Sequence, residues 1–160
     1  MTWKEAFFKQ AENDFAIFLE FNNSNKPICQ QLHYLQMASE KLSKAFLCSH
    51  KNLPPKTTHA ALTKFLTVSK GRPELRNKLG YKDNYKSFVS YIDSLLTFAN
   101  KIEQLAPEGD NLNKPNPEYP WIQNGYVICP LNFDYQNIWS DPIKIAEFTA
   151  LIHSLIRISK

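Results

Sequence analysis

Residues Ile28 to Leu66 read ICQQLHYLQMASEKLSKAFLCSHKNLPPKTTHAALTKFL, and the reading of this stretch decides the fold. Ile28, Leu32, Leu35, Leu42 and Phe46 recur at spacings of three, four and seven, the signature of one apolar stripe on an α-helix. Gln30, Gln36, Glu40, Lys44 and Lys51 fall largely off that stripe. Pro54 and Pro55 cannot continue a helix, so the spacing predicts an end near His50. Thr57 or Thr58 is then placed to cap a following helix through its hydroxyl. The expected product is a helical hairpin with a basic outer face. No reaction follows from it.

Working outward, Thr2 and Glu5 form a capping box for a first helix. Trp3, Phe7, Phe8, Ala11, Phe15, Phe18 and Leu19 give that helix a broad apolar face. Asn22 to Pro27 is a polar turn. The third helix is expected from about Thr58 to Val68, and a short helix from Pro73 that Gly80 ends. A fourth should run from Asp83 or Asn84 to Leu105, with Phe88, Ile92, Leu95, Ala99 and Ile102 as its core stripe. Residues 108–120 are rich in Pro and Asn, which excludes regular structure. After them Trp121-Ile122 and Tyr126 to Cys129 read as extended, a small hairpin or packed coil. Tyr119, Trp121, Tyr126, Phe133 and Tyr135 are expected to pin this long loop to the bundle. Ser140 or Asp141 caps a last helix, with Pro142 at its favoured first position. The expectation is an all-α, up-and-down bundle of about five helices, a single domain over residues 1–160, with a long aromatic and Pro-rich loop before the last helix.

Composition bounds the function. The chain has 160 residues, 43% of them hydrophobic and 13% aromatic, which suits one folded domain rather than a disordered chain. No apolar run nears the roughly 18 to 20 residues that span a bilayer, and the N-terminus lacks the shape of a signal peptide. Cys29, Cys48 and Cys129 make no CxxC pair, so reduced thiols in a cytoplasm are expected. Cys29 and His33 stand four residues apart on one helix, but no third or fourth ligand accompanies them, so no metal or other cofactor is expected. A Gly-rich phosphate loop, a Gly-x-Ser-x-Gly elbow and an HExxH motif are all missing. The net charge is +4, yet the segment Lys41 to Lys86 gathers eleven Lys and Arg against only Glu74 and Asp83. That asymmetry suits a nucleic acid or an acidic partner, and equally a solvated face.

The run QLHYLQMASEKLSKAFL, with TTHAALTKFL after a short gap, resembles the HEPN superfamily of helical domains. The resemblance is carried by Tyr34, Gln36, Ala38, Glu40, Lys41, Lys44, Ala45, Thr58 and His59, and covers about a quarter of the chain. Catalytic HEPN proteins are metal-independent ribonucleases with an Arg followed after four to six residues by a His. Here Arg72 is followed at those spacings by Asn77, Lys78 and Leu79, and Arg76 by Tyr81, Lys82 and Asp83. The motif is absent, which argues against the usual ribonuclease activity. The resemblance then implies a non-catalytic module that pairs as a homodimer. It also implies a protein partner, such as a separate nucleotidyltransferase, in a toxin–antitoxin or defence setting.

The candidate binding residues are Gln36, Glu40, Lys41, Lys44, His59, Lys64 and Arg76. For His59 the bland alternative is a helix cap or a hydrogen bond to Glu40 across the hairpin. The second reading is an RNA binder, or an atypical ribonuclease, that uses the basic segment with Lys41, Lys44 and His59.

Overall fold

A computed structural model describes residues 1–48, 60–105 and 114–159. Among them the chain is mostly helical, with one small antiparallel sheet. The expected Pro54-Pro55 turn, the Thr57 or Thr58 cap and His59 lie outside the described residues.

Helix α1 runs Trp3–Asn23 and begins with the expected reciprocal box. The Thr2 backbone N–H donates to Glu5 Oε2 at 2.7 Å, and the Glu5 N–H donates to Thr2 Oγ1 at 3.2 Å. Helix α2, Ile28–Leu47, stops slightly before the expected limit, with Cys48 as its C-cap. It packs against α1 along its length and also meets three later helices, so more than one stripe is covered. Leu32, Leu35 and Leu42 are buried as expected, whereas Ile28, predicted for the same stripe, is exposed. Gln36, expected off the stripe, is buried. The reason lies in small residues that widen the buried side: Ala38 and Ala45 flank the leucine stripe on one side and Ser39 and Ser43 extend it toward Gln36 on the other, so neighbours can approach closely. The Ser39 hydroxyl is satisfied locally by the Gln36 carbonyl at 3.0 Å.

Helix α3 is shorter than predicted, Ala61–Ser69, and has no side-chain cap of its own at Ala60. Its cap comes from the far end of α5, Tyr85–Glu103. Glu103 accepts from the backbone N–H groups of Leu62 and Thr63, the latter at 3.1 Å, and from the Thr63 hydroxyl at 2.6 Å. Between them lies the short α4, Pro73–Lys78, after which Gly80 takes φ +86, a turn conformation that a side chain disfavours. Helix α5 starts at Asn84, whose Oδ1 accepts from the Ser87 N–H, and buries the predicted stripe plus Phe98.

The loop before the last helix holds a true hairpin, β1 Trp121–Gln123 and β2 Tyr126–Ile128. Asn124 and Gly125 both adopt positive φ, 52° and 81°, as a two-residue type I′ turn requires. Trp121, Phe133 and Tyr135 form an edge-to-face chain with centroids 4.8 and 4.9 Å apart, and they pin the loop as expected. Tyr119 and Tyr126 do not: both point into solvent. A short helix not expected from the sequence, α6 Gln136–Trp139, precedes α7, Pro142–Arg157. Asp141 caps α7 by accepting from the N–H groups of Ile143 and Lys144. The core is built where α2, α3, α5 and α7 converge, around Leu32, Leu35, Phe65, Phe88, Ile92, Phe148 and Ile152. No described helix is long and apolar enough to cross a membrane.

Candidate functional site

The predicted binding residues divide into two groups. Gln36, Glu40 and Lys44 occur every fourth residue and so share one side of α2. Lys44 pairs with Glu40, and Lys41 pairs with Asp14 of α1 at 2.6 Å. All four side chains are 20% exposed or less, so an incoming phosphate would have to displace a carboxylate from each lysine. Gln36 is buried, and its Nε2 has no hydrogen-bond partner among the described residues. Lys64 stands apart on the exposed side of α3. Arg76 lies on α4 with its guanidinium 5.8 Å from the centre of the Tyr85 ring. The structure thus gathers Gln36, Glu40, Lys41 and Lys44 on one helix and leaves Lys64 and Arg76 elsewhere. His59 lies outside the described residues.

The ligand-type residues Cys29 and His33 line a pocket of about 530 Å³ with Cys129 and Glu118. His33 Nδ1 is 3.8 Å from Glu118 Oε2, and burial pushes the Cys29 thiol above its ordinary range. Among the described residues no group of three His, Cys, Asp or Glu is arranged to hold a metal ion. His153 stacks on Phe15 beside a groove between α1 and α7.

Two features escaped the sequence reading. The first is the outer surface of the hairpin. In its register Ile122 faces Val127 and Trp121 faces Ile128, so the buried tryptophan fixes one face inward and turns the Ile122–Val127 pair outward. Val127 is 76% exposed and Tyr126, beside the turn, 74%. With Tyr119, Ile122 and Leu131 they make five of the twelve exposed large hydrophobic residues among the described ones, so the exposed apolar surface described concentrates at this one device. No residue between Glu118 and Asp134 carries a charge. The Asn-Gly pair after Trp121 was the available signal for the hairpin.

The second is a cavity of about 940 Å³ where α1 begins and α2 and α7 end. Lys4, Arg72 and Lys78 line it together with Phe8, Phe46 and Leu75. Arg72 Nη1 donates to the Phe46 carbonyl at 3.2 Å and Lys78 Nζ to the Ile158 carbonyl at 3.3 Å. The Cys48 thiol at its edge is pushed up by burial, against the pull of the Lys4 ammonium.

No family model, no curated protein and no solved structure matches this chain.

Proposed function

We propose that this chain is a non-catalytic, HEPN-like helical module that acts by binding, and that it pairs with a second copy of itself through the hairpin face. The observation that carries the reading is the uncharged, apolar outer surface of residues 119–131 on a hairpin held down by Trp121. Exposed apolar side chains concentrated on a fixed element mark interaction surfaces. A two-stranded sheet leaves the outer edge of each strand without a ladder partner. An antiparallel edge can pair with its own copy about a two-fold axis, the commonest symmetry of homodimers. A chain of net charge +4 meets its like with least repulsion where the surface is uncharged. A further protein, such as the separate nucleotidyltransferase that the HEPN resemblance implies, would then bind the paired form.

Amide hydrogen exchange tests this directly. Protection over Trp121 to Cys129 should rise with protein concentration while α5 stays unchanged. Concentration-independent exchange across the hairpin would remove the reading.

The second reading, an RNA-binding face, keeps one observation. Lys64, Lys82 and Lys86 are exposed and have no carboxylate partner among the described residues. Binding of single-stranded RNA that weakens steeply between about 50 and 200 mM salt would support it.

A further inference from the structure

Two of the three cysteines face one cavity. Cys29, in the first turn of α2, and Cys129, just past the end of β2, both line the pocket of about 530 Å³ between the start of α2 and the loop that carries the hairpin. A hundred residues of chain separate them. Packing brings them together, because the backbone of α2 lies close against the 3₁₀ turn Pro130–Asn132 that follows Cys129. Pro130 is buried, and the Cys129 carbonyl accepts from the Asn132 N–H at 3.0 Å, so the backbone holds Cys129 in place. The two sulfurs also sense each other. Burial first raises the Cys29 thiol, and a negative charge on Cys129 raises it further. Charges on both cysteines add to the burial that raises the Tyr135 hydroxyl. Cys48 caps the other end of α2, roughly 28 Å away along the helix axis, and lines a different cavity.

The two thiols differ in exposure. Cys129 is open to solvent, whereas Cys29 is 3% exposed. An oxidant therefore meets Cys129, and the buried, neutral Cys29 thiol is sheltered from it. A metal would need further ligands, and among the described residues no group of three His, Cys, Asp or Glu is arranged to hold one. An exposed thiol on its own would oxidise with no second sulfur to receive it. Here a second sulfur lines the same cavity.

We propose that Cys129 and Cys29 form a redox pair, which a peroxide closes to an intramolecular disulfide. In the first step the Cys129 thiolate sulfur attacks one oxygen of hydrogen peroxide. The O–O bond breaks, Cys129 becomes a sulfenic acid, and the other oxygen leaves as hydroxide and takes up the thiol's proton as water. In the second step the Cys29 sulfur attacks the Cys129 sulfur. The S–O bond breaks, hydroxide leaves with the Cys29 proton as water, and the S–S bond forms. Two thiols and one peroxide thus become one disulfide and two waters, and a thiol reductant reverses the change. The bond ties the start of α2 to the end of the hairpin. It forms whether or not the hairpin pairs two copies.

The test is peptide mapping by mass spectrometry. The reduced full chain is treated with a small molar excess of hydrogen peroxide, and remaining thiols are alkylated in denaturant. The peptides of Cys29 and Cys129 should appear joined and lighter by two hydrogens, with Cys48 still alkylated. The oxidised chain should run as a single chain on a non-reducing gel. It should melt roughly 5–15 °C higher than the reduced one, since the bond closes a loop of a hundred residues. Cys129→Ser changes an exposed position and should keep the fold while abolishing both the link and the rise in melting temperature. Cys29→Ala should abolish the link as well, and Cys48→Ala should leave it intact. The proposal is overturned if Cys129 ends as a sulfinic acid while Cys29 stays free. It is also overturned if Cys129 joins the same residue of a second copy, or if the disulfide that forms includes Cys48.

Discussion

Glu103 holds the start of a helix that lies forty residues before it in the chain. Two backbone donors and one hydroxyl of α3 converge on its carboxylate. Glu103→Ala should cost about 1–3 kcal/mol, because buried donors would be left unpaired. Chemical denaturation would measure it, and hydrogen exchange should show the first turn of α3 loosening before α5. The caps that act over two or three residues were readable because the partner is local, Thr2 outright and Asn84 and Asp141 to within one neighbouring residue. Glu103 was not, since nothing in a linear pattern states which helix end a distant carboxylate will meet. The buried pairing of Lys41 with Asp14 escaped for the same reason, and it turns a candidate ligand residue into an element of α1–α2 packing. Two tyrosines set the alkaline limit. Burial first, then the nearby Tyr81 and Glu147, pushes the Tyr91 hydroxyl up to about 12, and burial pushes Tyr135 up as well. An acid whose folded pKa is raised is neutral in the fold while the unfolded chain ionises near its ordinary value of 10. Stability is therefore unaffected below pH 10 and falls as pH rises from there toward about 12. Tyrosinate absorbance should lag behind a free-tyrosine titration and then rise together with unfolding. Tyr91→Phe should move that rise to higher pH.

The helices differ in how much of their role the sequence carried. Helix α5 was readable except for buried Phe98 and its last two expected residues, because a clean stripe faces the core. Helix α2 was readable in existence and start but not in role. The buried residues that widen its stripe are Ala and Ser, which hydrophobic periodicity does not count. Small residues gain meaning only when a neighbouring helix comes close. The hairpin was half readable: its extended residues were plain, but which aromatic faces in depends on register, and a slip of one residue reverses it. Gly125 at φ +81 keeps that register. Gly125→Val should strain the turn by roughly 1–2 kcal/mol or shift the pairing. Limited proteolysis between Trp121 and Cys129 would report the loosening, with the helical circular dichroism retained. Trp121→Ala should go further, by about 3–5 kcal/mol, since it empties the anchor beneath the hairpin.

For the whole molecule, the distribution of charge and apolar surface matters more than any single residue. Among the described residues, the basic segment that dominates the sequence from Lys41 to Lys86 is dispersed in space. Lys41, Lys44 and Lys70 are tied to carboxylates, Arg76 lies against Tyr85, and Arg72 and Lys78 join Lys4 at the end of the bundle. A run of like charge along a chain is therefore a poor guide to a charged face once helices wind it around an axis. The apolar surface does the reverse. It is unremarkable in composition and becomes concentrated when the hairpin turns Ile122 and Val127 outward and leaves Tyr126 in solvent beside the turn. Pairing through that surface is the central claim, and sedimentation velocity of the wild-type chain beside the Tyr126→Asp/Val127→Asp double variant tests it most directly. Both positions are more than 70% exposed, so the variant should fold normally. The wild type should sediment as a dimer at micromolar concentration and the variant as a monomer. A wild-type monomer across that range, or a variant that still dimerises, would show that the hairpin face is not where two copies meet.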